Sequence, residues 1–169
     1  MAPTRDVTVT YRVVRAPAAG GPRKTVVRQT ETGSRLRVDS YIFDDAKTAY
    51  EGMIIDRVAN RATVLVFANE LAVEAPAAGV ALPGITMTPD MGFRRRGTRS
   101  VAGLSCTDWE VVPAGPAEPW TACVTADGVV LRAASATREI EATAVAYGAV
   151  PGGVFEVPAG LKRVTAAPK

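Results

Sequence analysis

Few residues of this 169-residue chain could do chemistry, and their types limit what that chemistry could be. There is no histidine. The commonest general base, the commonest metal ligand and the usual switch near neutral pH are therefore missing. Asp, Glu, Lys or Tyr could still carry acid–base steps, but no spacing assembles them into a site, and the expectation is a protein that is not an enzyme. Cys106 and Cys123 could form a redox pair. Catalytic dithiols sit close in sequence at a helix start, where the dipole lowers a thiol pKa; these two lie in strand-like sequence, which favours a structural disulfide. Asp44-Asp45 with Asp39 and Asp56 offers carboxylates to a hard cation but lacks the glycine and terminal glutamate of a calcium loop. Adjacent aspartates at a turn commonly act as hydrogen-bonding caps, so neither metal nor cofactor is expected. Arg94, Arg96 and Arg99, with Arg95 between them, make the densest charge. On a strand Arg94 and Arg96 share a face. Such a patch could meet acidic headgroups or a carboxylate, or could guard an edge strand against aggregation. No phosphate loop, zinc spacing or nucleophile elbow is present.

The element that must position the cysteines is a hairpin over residues 97–132. Folded at Pro113–Gly115–Pro116 so that Val112 faces Ala117, it sets Trp109 opposite Trp120 and Cys106 opposite Cys123 in one register. A one-residue slip would turn every side chain to the wrong face. Cross-strand partners stand about 4.5–5.5 Å apart, within disulfide reach. Such a bond implies an oxidising compartment.

Around that hairpin the chain reads as strands. Residues 7–14 alternate apolar and polar, and further strands are expected over 24–32, 35–43, 50–58, 62–67 and 71–74. Another begins at 92–96 and leads into the hairpin; 129–134, 137–147 and 161–164 follow. In 137–147, Ile140, Ala142, Ala144 and Ala146 would set small apolar residues on one face. Strands this short and frequent, divided by turn residues, mean an all-β, mainly antiparallel fold. Helix is confined to short candidates at 44–49 and 150–155. Length and composition fit a single domain with an ordered core over about 5–164, 47% hydrophobic and 22% charged. A net charge of +3 without a concentrated basic face argues against nucleic acid. No apolar run reaches the length of a membrane span. Met1 is followed at once by polar residues, which is not a secretory leader, so the expectation is a mature exported protein whose leader has been removed.

Residues 75–89, APAAGVALPGITMTP, carry no charge and hold three prolines. They are too rich in proline to be a central strand. An uncharged loop of this length is either packed as core or functional. It is read as a connection laid over the sheet, or as a lid on a cavity.

The segments GTRSVAGLSCTDWEV, ACVTADGVVLRA and VFEVPAGLKRV resemble periplasmic bacterial proteins similar to the outer-membrane lipoprotein carrier (LolA-like) superfamily. The most specific pieces are AG-x-x-C-x-x-W and F-x-V-P-A-G. The resemblance implies a highly curved sheet, an incomplete barrel, with a segment closing its concave side; here residues 75–89 stand where a lid helix would. Under that reading the concave space would be lined by Val64, Val66, Leu82, Ile85, Met87, Ile140, Ala142 and Ala144. The implied function is non-catalytic binding of a lipid or other hydrophobic ligand in the periplasm or outside the cell, with an envelope protein as a further partner. The alternative is a structural or protein-interaction module whose concave face is filled by its own chain.

Overall fold

Stretches of alternating residues cut by glycine, proline and aspartate become twelve strands in the computed structural model. The structure describes residues 2–166, apart from 17–19, 79, 81, 83, 86, 88, 89 and 117. The first meander holds β1 (Val7–Arg15), β2 (Lys24–Gln29), β3 (Arg35–Tyr41), β4 (Glu51–Asp56), β5 (Arg61–Val66) and β6 (Leu71–Pro76). The second holds β7 (Gly92–Val101), β8 (Leu104–Val112), β9 (Trp120–Val124), β10 (Val130–Ala134) and β11 (Glu139–Tyr147). β12 (Lys162–Thr165) adds to β6 as the one parallel pair described.

All twelve strands share one sheet in the order β12-β6-β5-β4-β3-β2-β1-β11-β10-β9-β8-β7. The two meanders therefore meet along β1 and β11, in the middle. The sheet is mostly antiparallel and is not closed into a barrel. It is nonetheless strongly curved. At about 4.8 Å per strand a flat sheet would hold β7 about 19 Å from β11, yet their Cα atoms come within 8 Å.

The strand order dictates what covers the two faces. β6 lies next to one edge and β7 is the other edge, so residues 77–91 must cross the sheet to connect them. The described residues among them lie on the inner face. Ala77, Ile85 and Met87 are buried in the same cluster as Val7, Val9, Val27 and Leu36. Residues 148–161 run from β11 to β12 over the other face, where Phe155, Val157 and Leu161 pack on Ile54, Leu65 and Ala72. One crossover straps each face.

Three local expectations are corrected. In the hairpin Trp109 pairs with Ala122, Trp120 with Val111 and Cys123 with Asp108, two residues from the expected register. A shift of two preserves the faces, so Cys106 and Cys123 still point to the same side. Their Cα atoms are 5.4 Å apart and the sulfurs are bonded. Pro119 explains the wider turn: it has no N–H to donate to the ladder that would continue past Trp120. The expected partner of Val112, Ala117, lies outside the described residues. The second correction falls in β11. Thr10 pairs with Ala144 but Tyr11 with Ala142, leaving Thr143 as an extra residue. Such a bulge reverses the alternation, so Ile140 and Ala142 are buried inward while Ala144 and Ala146 face out and are exposed. Third, 44–49 forms turns and bends, and of 150–155 only Gly152–Phe155 coils, as a 3₁₀ turn.

Candidate functional site

The strap over the inner face is fixed where it begins and seated again midway. Asn60, in the β4–β5 turn, accepts the Ala77 N–H at its carbonyl and the Ala78 N–H at its side chain, both at 3.1 Å. Farther on, Gly84 adopts φ +81° and passes so near β10 that a Cβ there would stand 2.7 Å from the Ala133 Cβ. Only glycine meets both demands. Beneath the strap Tyr11 is wholly buried and donates its hydroxyl proton to the Val130 carbonyl oxygen at 2.5 Å. Burial pushes its phenol far above the usual range. The strap's course thus contributes core rather than a loose flap.

The register shows where that cover stops. Val145, Val9, Val27, Val38, Met53, Val64 and Val73 stand abreast in a single row across seven strands. The row is sealed at Val9 and Val27, each 0% exposed, and emerges at Val64, 37% exposed. Met53, Val66, Leu71 and Val73 around it are half-buried. The strap departs from the Asn60 end of these strands, so the opposite end of β4–β6 keeps an apolar surface continuous with the core.

The residues expected to line the concave space therefore divide. Ile85, Met87, Ile140 and Ala142 are buried in the central cluster, and Leu82 packs against it. Val64 and Val66 lie on the same face at its open end. Ala144 is on the other face, because of the bulge at Thr143. The basic patch lies on the edge strand β7. Arg94 and Arg96 reach Glu110 at 3.5 and 2.5 Å, and Arg99 reaches Asp108 at 2.6 Å, with all three arginines exposed. Phe93 on the same strand meets Trp109 edge-to-face, ring centres 6.5 Å apart.

A feature of the outer face was not singled out from sequence. Asp39 is buried between two arginines: Arg28 donates to it at 2.8 Å and Arg37 at 2.9 Å. Gly52 opposite makes room for the carboxylate, since a Cβ there would come within 2.9 Å of its Oδ1. The alternation R-L-R-V-D-S-Y over Arg35–Tyr41 does put Arg35, Arg37, Asp39 and Tyr41 on one face. What the pattern lacked was any sign that this face would be covered. Among the described residues no three His, Cys, Asp or Glu side chains cluster as metal ligands.

With this geometry the chain can be set beside solved structures. A conserved protein of Thermus thermophilus superposes with a TM-score of 0.64 at 9% identity, over 96% of this chain and 91% of that one. MucB of Pseudomonas aeruginosa, solved in complex with MucA, gives 0.60 at 16% identity over 96% of this chain. A structure of MucB alone gives 0.58 at 15% identity. The fold is LolA-like. This chain spans 59% of the MucB chain in the complex. No protein-family model matches the sequence, and no curated protein matches it.

Proposed function

We propose that this chain is a non-catalytic periplasmic or secreted binding protein that holds a lipid or other hydrophobic ligand on the inner face of its sheet. The observation that carries the reading is the apolar row running from sealed Val9 to exposed Val64, in contact with the core as far as Met53. A ligand chain laid beside the strap over Met53, Val64 and Val73 would gain about 0.8 kcal/mol per buried CH₂. The Cys106–Cys123 bond supports an oxidising compartment. The lack of histidine supports binding without catalysis.

A second reading, a protein-interaction module with a self-filled inner face, is favoured by the close seating of Gly84 on Ala133. MucB, which shares the fold, was solved bound to a protein, MucA. Titration with a fluorescent fatty-acid analogue separates the two. The first reading expects saturable binding that Val64→Asp weakens at least tenfold, with little change in melting temperature because that side chain is already part-exposed. Absence of probe binding by the wild-type protein would leave the interaction reading standing.

A further inference from the structure

The outer face carries a second site, independent of the strapped one. A cleft of about 390 Å³ lies between β2–β3, the loop of residues 42–50 and the crossover at Val154. Arg28, Arg37, Asp39, Tyr41 and Lys47 contribute its polar wall, and Ala49, Phe67 and Val154 its apolar one. We propose that this cleft binds a phosphate-type dianion, held by Arg28 and Lys47 with Arg37 as the positioning residue.

The argument is one of charge and donors. Three cations line the cleft against one carboxylate. Arg37 is committed to its neighbours: its Nε donates to both Asp39 oxygens at 3.0 and 2.9 Å, and its Nη1 to the Val154 carbonyl at 2.9 Å. It fixes Asp39 and ties the crossover to the sheet. Arg28 donates to Asp39 through Nη1 alone, at 2.8 Å. Its side chain is 28% exposed, so its remaining N–H groups are only partly hydrated. Among the described residues Lys47 has no ion pair. Cations in excess of carboxylates favour an anion, and a partly buried arginine suits an oxyanion best because its planar fork can donate two parallel bonds. The surplus of two positive charges matches a dianion; a carboxylate ligand would leave one uncompensated.

The cleft is also preformed. Lys24 Nζ donates to the Asp44 carbonyl at 2.5 Å and to the Ala46 carbonyl at 3.2 Å, which holds the loop bearing Lys47. The volume exceeds what a bare phosphate fills, and Phe67 and Val154 offer an apolar wall to a group attached to it. The shared chemistry is a phosphate dianion, whose source is either a lipid headgroup or free phosphate.

Calorimetric titration at pH 8 and low salt, with inorganic phosphate and with dihexanoyl phosphatidate in parallel, tests the proposal. At least one should bind saturably, and Arg28→Gln and Lys47→Gln should each weaken it about tenfold. Arg94→Gln on the far edge strand should change nothing. Binding of phosphate alone assigns the site to the free anion; binding of phosphatidate that phosphate displaces assigns it to a headgroup. Lys47 is exposed, so its replacement keeps the test readable if Arg28→Gln impairs folding. Val64→Asp acts on the other face and should leave this binding intact, so failure here is distinct from failure of the lipid reading. Lack of binding by both probes, equal binding by the Lys47 variant, or equal loss in Arg94→Gln would overturn the assignment.

Discussion

Replacing Gly84 by alanine tests whether the strap is seated as core. The new methyl would meet the Ala133 Cβ at 2.7 Å and the Ile140 Cδ1 at 3.8 Å. Carbon atoms rest about 3.5–4.0 Å apart, so roughly 1 Å must be found by moving either the strap or β10. Ala133 has no rotamer to yield, and overpacking of this kind costs about 1–3 kcal/mol. The left-handed backbone at φ +81° adds about 1–2 kcal/mol for a residue with a Cβ. The expected loss is about 2–5 kcal/mol, which for a chain of this length lowers the melting temperature by about 5–20 °C. Urea denaturation followed by tryptophan fluorescence would measure it. Ala133→Gly in the Gly84→Ala background should restore the packing share and leave the backbone share, giving a coupling energy in a double-mutant cycle. A Gly84→Ala protein within about 0.5 kcal/mol of wild type, inside the usual spread for surface substitutions, would refute the seating of strap on strand.

Three further outcomes are expected. The Cys106→Ala/Cys123→Ala variant should keep its sheet but lose about 3 kcal/mol, read as a lower urea midpoint; equal midpoints for oxidised and reduced wild type would contradict this. Stability should fall in acid. Val150 and Glu31 N–H groups hold the Asp6 carboxyl below the usual 3.8. At Asp127 burial raises the pKa, but hydrogen bonds from Thr125, Tyr147 and Arg5 together outweigh it; at Glu139 burial is likewise outweighed by Arg132 and Arg15 together, so both also lie low. Carboxyls lowered by folding contribute stability above their unfolded pKa that is lost as pH falls through the folded values; a melting temperature flat from pH 5 down to pH 2 would disprove it. Finally, Gln at Arg94, Arg96 and Arg99 together should leave folding nearly unchanged, since exposed ion pairs contribute about 0–1 kcal/mol each, but should raise aggregation of this edge, seen by light scattering.

Strand identity was legible because alternation survives wherever one face is buried: β1, β4, β5 and β6 begin or end within one or two residues of the expected bounds. The uncharged run at 75–89 announced itself as core or lid by composition. What stayed hidden depends on single extra residues and on distant partners. Thr143 looks like any other strand residue, yet as a bulge it moves Ala144 to the wrong face. Pro119 widens a hairpin whose two aromatic and two cysteine positions suggested a tighter one. Asp39 reads as a strand carboxylate free to join Asp44-Asp45 at a cation until the crossover lies above it and two arginines converge.

The seam between the two meanders sets the order in which the molecule can assemble. Each meander is built from neighbours in sequence and can form locally, whereas β1 and β11 meet across a separation such as the 133 residues between Thr10 and Thr143. Contacts that close so long a loop are slow to form. During synthesis β1 emerges early and must wait, one edge bare, until β11 arrives. For that interval an apolar strand that ends in the middle of the sheet is a sheet edge, open to any other extended chain. A strand central to the finished sheet is thus its most exposed liability while the chain is being made.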